Sequence, residues 1–289
     1  MDRTARFRIG DCELRSLSDG FFGLDGGAMF GVIPRVLWQQ TNPPDPNNRI
    51  RLALRPLLIT TPKDRILVDT GVGRKYGDRF NRMFNVDDSD ELTRSLGRQG
   101  LRPEEITVVV HTHLHFDHAG GTTELDHSGK PVPRFPNARH LVQADEWHDA
   151  THPNPRTQGS YRGEDYMPVA EAGLVERVEG DTDLGSGVTL VKTGGHTRGH
   201  QIVLVQGPDR TAVYWSDLIP TCSHVRIPYI MGYDLYPLKT MEQKERLVAR
   251  AAAERWVCFF EHDPDTTAAL IEADGDAFAV RPVSALGEG

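Results

Sequence analysis

A chain of 289 residues, 38% hydrophobic and with a formal net charge of −8, is long enough to bury a sizeable core. The acidic balance, without any basic stripe, argues against a nucleic-acid partner, and no apolar run nears the ~20 residues that span a bilayer. Cys12, Cys222 and Cys258 are widely separated and suggest neither a thiolate zinc site nor a disulfide framework.

No linker, repeat or low-complexity tract divides the chain, so residues 1–289 read as a single domain. The opening Met1-Asp-Arg-Thr-Ala-Arg6 lacks the apolar stretch of a secretory signal, which gives a cytoplasmic expectation with no membrane partner. Residues 19–38 mix glycines with large apolar side chains, Met29 and Phe30 among them. That composition predicts an irregular, mobile loop over a site, or else a core or homodimer contact. Ser89 is a candidate cap for a helix carrying Leu92 and Leu96 and ending near residues 97–100.

Residues 106–110, Ile-Thr-Val-Val-Val, read as a buried strand. It runs into His111-Thr-His-Leu-His-Phe-Asp-His-Ala-Gly-Gly121, where His113, His115, Asp117 and His118 are all metal-capable. Burying such groups without strong partners costs several kcal/mol, whereas imidazole and carboxylate donors suit zinc or another borderline transition metal. In extended backbone His113 and His115 share one side, and a turn at Asp117-His118 swings a second pair toward a neighbouring centre. The segment therefore looks like half of a two-metal site, with His111 as a strand-end or supporting residue.

Three later strands end in the same way. Residues 188–193 lead into Gly194-Gly-His-Thr-Arg-Gly-His200, residues 211–216 end at Asp217, and residues 256–260 end at Glu261-His-Asp-Pro264. Singly, His196, Asp217 or His262 could be a capped turn or a surface residue; the recurrence makes them candidate ligands lining one edge of the sheets. Between them, residues 219–237 gather His224, Tyr229 and Tyr233, which could line a pocket for a small ester or lactone or simply pack the loop. Residues 241–256 are Ala/Glu/Arg-rich with Leu247, Val248, Ala251 and Ala252 on one stripe, a core-packing helix.

The Thr112-His-x-His-x-Asp-His118-x-Gly-Gly run, followed by His196, Asp217 and His262, resembles the signature of the metallo-β-lactamase fold superfamily. Asp69, in Ile66-Leu-Val-Asp-Thr-Gly71, matches the Asp-Thr-Gly that precedes it there. The resemblance covers residues 7–270 and implies an α/β fold, a four-layer αβ/βα sandwich with metals between two mixed sheets at one edge. It implies two divalent ions, zinc first, with cobalt, manganese or iron as alternatives. One would take His113, His115 and His196, and the other Asp117, His118 and His262. Asp217 would bridge both, with Asp69 and His200 supporting. Such a centre ionises water near neutral pH, so direct hydrolysis is expected, Asp117 orienting the nucleophile and carrying the proton to the leaving group.

Gly26-Gly-Ala-Met-Phe-Gly-Val-x-Pro34 and residues 219–237 together are similar to the branch holding quorum-quenching N-acyl-homoserine lactonases and methyl-parathion-type hydrolases. The resemblance implies opening of a small lactone or ester, with arylester or phosphotriester hydrolysis as the alternative and a one-iron persulfide dioxygenase behind both. Lactonases of this fold carry a tyrosine three residues after the bridging aspartate, where this chain has Pro220. The carbonyl-binding role then falls to His224, Tyr229, Tyr233 or the metal alone, with Met29 and Phe30 as further substrate contacts. Flavodiiron proteins of the fold replace the second histidine with glutamate, and His115 is histidine.

Overall fold

Apolar runs that look featureless in the sequence resolve into two faces with a period of two. The computed structural model describes residues 5–86, 91–275 and 277–283. Its first sheet runs, edge to edge, Arg6–Ile9, Cys12–Ser16, Leu57–Thr60, Arg65–Val68, Val108–Val110, Arg139–Gln143 and Val175–Val178. The second runs Thr182–Gly185, Val188–Lys192, Gln201–Gln206, Thr211–Tyr214, Val257–Phe259, Ala268–Asp274 and Ala277–Pro282. Both sheets mix parallel and antiparallel pairs. In the first, Ile66, Val68, Val108 and Val110 point toward the second sheet's Val203, Val205, Tyr214 and Phe259. The alternate residues Leu67 and Val109 face outward onto Leu92 and Leu96. Across the molecule, Ile202, Leu204, Val213 and Cys258 face outward onto Leu247, Val248 and Ala251. Helix, sheet, sheet, helix is the four-layer sandwich that the motif implies, and central strands such as Val108–Val110 and Val257–Phe259 are buried on both faces, as sandwiched strands are.

Element limits shift for local reasons. Pro103–Glu105 forms a turn of 3₁₀ helix capped by Ile106, so the strand begins only at Val108. The last long helix spans Pro237–Ala253, one turn earlier than its apolar stripe suggests, because Pro237 occupies the first turn, where its missing N–H costs nothing. It stops before Trp256, which the sheet side claims. The helix carrying Leu92 and Leu96 spans Glu91–Arg98; its proposed cap, Ser89, lies outside the described residues. Among the described residues no helix is long and apolar enough to cross a membrane.

Of the alternatives expected for residues 19–38, a core contact forms and the irregular loop does not. Phe21–Asp25 pairs antiparallel with Arg49–Ala53, and the Asp25 carboxylate then accepts from Ala28 N–H at 2.8 Å to start the helix Gly26–Phe30. Phe30 stacks on Trp38 at 5.4 Å and 7°. Ring packing and a capped helix give this stretch a fixed path, and of its large apolar side chains Val32, Val36 and Leu37 are the exposed ones.

The loop after Arg65–Val68 and the motif segment meet backbone to backbone. Thr70 N–H donates to His118 O at 2.7 Å, and Gly121 N–H to Gly71 O at 2.9 Å. A Cβ on Gly121 would sit 2.1 Å from Thr70 O, which no side-chain adjustment relieves. Gly121→Ala is therefore expected to lower unfolding free energy by about 2–3 kcal/mol or more in urea melts. Gly97→Ala, within a helix and facing open space, should instead raise it by roughly 0.5–1 kcal/mol.

Candidate metal centre and cavity

Parallel strands in each sheet deliver their C-terminal ends to one edge. Arg65–Val68 and Val108–Val110 are parallel neighbours, as are Thr211–Tyr214 and Val257–Phe259. Past those ends stand Asp69, the 113–118 segment, Asp217 and His262, joined by His196 beyond Val188–Lys192. His115 lies at the entry to a one-turn helix, Phe116–Ala119, which turns Asp117 and His118 inward. Ser216, at φ +47°, reverses the chain just before Asp217.

The donor atoms form two adjoining groups. Those of His113, His115, His196 and Asp217 all lie within 4.8 Å of one another, as do those of Asp117, His118 and His262. His115 Nδ1 is 3.1 Å from both His113 Nε2 and His196 Nε2, and His118 Nε2 is 3.2 Å from His262 Nε2. Asp217 stands between, Oδ2 at 3.0 Å from His196 Nε2 and 3.5 Å from His118 Nε2, Oδ1 at 3.4 Å from His262 Nε2. Oδ1 is buried without a hydrogen bond. Imidazole nitrogens turned toward each other at such distances need a cation or a shared proton between them, and three to four N/O donors per group are the set zinc takes. These residues fit a metal.

The far sides of the rings are held. His196 Nδ1 donates to Asp234 at 2.8 Å, and His262 Nδ1 to Ala53 O at 2.8 Å. His118 Nδ1 meets Glu261 at 3.0 Å and Asp69 at 3.2 Å. Such partners fix ring orientation and raise donor basicity. Asp69 also accepts from Thr112 N–H at 2.8 Å and Thr112 Oγ1 at 2.7 Å, and Thr112 Oγ1 reaches Ser216 Oγ at 2.8 Å. Buried Glu146 accepts from Leu114 N–H and Tyr161 Oη, each at 2.9 Å, and from Thr197, tying the motif segment to the 196–200 loop. His200 Nδ1 bonds Thr193 at 2.7 Å, its ring 5.4 Å from that of His113. Pro220, where the tyrosine was absent, gives its carbonyl to His262 N–H at 3.0 Å. His111 pairs with His140 at 3.2 Å, away from the donors.

Burial and adjacent imidazoles hold His113 and His115 well below the usual imidazole range, leaving lone pairs free. Burial opposes charge at Asp217 too, but His196 and His118 outweigh it and keep the carboxylate ionised. His118 and His262 move upward, the latter to about 9, because nearby carboxylates overcome burial. Burial, reinforced by Asp69, raises Glu261 to about 7. An arriving cation therefore competes with protons, so its affinity falls as pH drops.

Above the donors opens a cavity of about 500 Å³. His115, Asp117, His196, Asp217 and His262 border it, and Leu24, Met29, Phe84, Phe116, Met231 and Leu235 make its walls largely apolar. Tyr233 lines it as well, its phenol pushed up to about 12 by burial and then by Asp25 and Asp117, and so kept as a donor. Of the residues anticipated for substrate, Met29 and Tyr233 reach this cavity and Phe30, His224 and Tyr229 do not border it. His224 is committed on both nitrogens, Nε2 to Met29 O at 2.8 Å and Nδ1 to Thr221 at 2.8 Å. Its ring stacks on Phe30 at 4.7 Å, and Tyr229 packs edge-on to the same phenyl at 5.8 Å. Together they form the wall behind Met29. Sequence reasoning missed Glu146, Asp234 and the Thr112–Ser216 link, which lie far from their partners in the chain. Glu261 was visible beside His262 but carried no pattern of its own.

The Metallo-beta-lactamase superfamily profile matches residues 56–262. The chain belongs to that superfamily. It is 27% identical over 231 residues to an N-acyl homoserine lactonase of Bacillus thuringiensis, covering 75% of this chain and 84% of the relative. It is 29% identical over 225 residues to the N-acyl homoserine lactonase AttM of Agrobacterium fabrum, covering 73% and 82%. A probable metal-dependent hydrolase from Staphylococcus aureus superimposes with a TM-score of 0.88 at 32% identity, over 96% of this chain and 99% of that one. AidC, a dizinc quorum-quenching lactonase, shares the fold with a TM-score of 0.77 at 21% identity, over 99% and 100%.

Asp69 gathers donors from Thr112 and His118 while holding φ +56°, a conformation that asparagine tolerates and alanine resists. Asp69→Ala should thus cost about 3 kcal/mol or more of stability, and Asp69→Asn distinctly less, in parallel urea titrations.

Proposed function

We propose that this superfamily member acts as a single-domain, two-metal hydrolase that opens the ring of N-acyl-homoserine lactones or closely similar lactones. The observation that carries the reading is the pair of buried donor groups on either side of Asp217, at the floor of a cavity with apolar walls. The curated relatives, named as N-acyl homoserine lactonases, support the choice of substrate.

In this reading His113, His115 and His196 would hold one ion and Asp117, His118 and His262 the other, with Asp217 serving both. Two bound divalent ions, zinc first, would supply Lewis acidity and a water ionised near neutral pH. Asp117 takes the proton from the attacking water and returns it to the ring oxygen as the acyl–oxygen bond breaks. Tyr233, the tyrosine that lines the cavity among the described residues, donates to the carbonyl oxygen in place of the tyrosine lost at Pro220. No serine or cysteine nucleophile enters. Leu24, Met29 and Phe84 receive the acyl chain and keep water from it.

Hydrolysis of N-hexanoyl-homoserine lactone, an aryl ester and a phosphotriester by metal-analysed protein tests the reading. Turnover of the lactone ahead of the others, with two metals per chain, is expected; phosphotriester turnover with inert lactones, or one iron per chain, sinks it. Asp217→Ala should lose metal and activity together, the latter by about 10³-fold. Tyr233→Phe should keep its metals while kcat falls about 10- to 100-fold; unchanged kcat would take Tyr233 out of the reaction.

A further inference from the structure

Arg156 is the one Lys or Arg side chain bordering the cavity among the described residues. Its main chain is fixed by an Asn154 turn, the side-chain oxygen accepting from Arg156 N–H at 2.9 Å and Thr157 N–H at 3.2 Å. From there the guanidinium spans the rim and donates through Nη2 to Gly232 O at 2.7 Å, on the opposite wall. One of its five N–H donors is engaged by that bond, and among the described residues no carboxylate lies within ion-pair distance. The residue is exposed, so the remaining donors face the opening at no burial cost.

We infer that Arg156 is a specificity-determining residue that binds the acyl-amide carbonyl of the substrate and favours acylated lactones over plain alkyl lactones. The inference rests on the lactonase reading and names which part of the substrate is recognised. An anionic substrate fits poorly, since Asp117 and Asp217 border the same cavity and the chain carries a net charge of −8. A neutral molecule with one strong acceptor oxygen next to an apolar chain matches one pre-positioned fork of donors beside apolar walls. Arginine suits this, because its planar donors are held by a bond to the facing wall before substrate arrives.

The test uses metal-loaded wild type, Arg156→Met and Arg156→Lys, with N-hexanoyl-homoserine lactone and a five-membered lactone bearing an alkyl chain of equal length but no amide. Arg156→Met should lower the ratio of kcat/KM for the amide substrate over the alkyl one by about tenfold or more, chiefly through KM. Arg156→Lys should recover part of that ratio. Metal content and melting temperature confirm a folded variant; should Arg156→Met not fold, Arg156→Gln serves the same comparison. A ratio unchanged within about twofold, with both lactones still turned over, overturns the assignment and leaves the lactonase reading intact. Wild-type enzyme that opens neither lactone overturns that reading, and the assignment with it.

Discussion

Buried imidazole lone pairs aimed at one another across about three ångströms are the constraint on which this molecule is organised. His113, His115 and His196 on one side, and His118 and His262 on the other, would repel or demand protons if left alone. Folding brings them together all the same, because three of the rings are anchored from behind: His196 by Asp234, His262 by Ala53 O, and His118 by Asp69 and Glu261. The anchors lie on segments far apart in the chain, so the arrangement exists only when both sheets have docked. Donor geometry and global fold are therefore one property here.

The two jobs of the site are assigned to different parts of the architecture. Donor atoms sit just past strand ends, where backbone pairing leaves little freedom. The cavity walls come from the hairpin and helix of residues 21–30, the 156–160 turn and the 231–235 loop. Those walls have supports of their own: Lys244 Nζ donates to the carbonyls of Arg226 and Tyr229 at 2.9 and 2.8 Å, and His224 clamps Met29 O. Loops can change shape around a fixed scaffold, which is how one fold comes to serve many substrates.

What the sequence revealed, and what it hid, follows from the range of the interactions involved. The His113–His118 cluster is local, so its density announced itself. The later donors were legible because each follows an apolar run, and a strand that ends in a polar residue points to an edge. Alternation such as Ile66-Leu67-Val68 looked like a single apolar block; only the opposing layers reveal that Leu67 belongs to a different core from its neighbours. In the 19–38 segment the glycines suggested an irregular loop and the large apolar residues a core contact; stacking of Phe30 between Trp38 and His224 gives the second. Asp234 and Glu146 were illegible for the opposite reason: a single carboxylate in a loop has no pattern, and its meaning comes entirely from a ring or hydroxyl tens of residues away.

Asp69 and Ser216 both hold left-handed backbone angles without being glycine, a conformation that costs on the order of 1 kcal/mol or more apiece. Their side chains converge on Thr112, so the strain is locked in by the contact that joins the two sheets. A mounting this stiff leaves little motion to freeze when an ion arrives, and most of the ordering entropy of the binding event has already been spent in folding. Selectivity among cations then becomes a matter of the radius and geometry that a rigid socket will accept, with scant room for the protein to adjust.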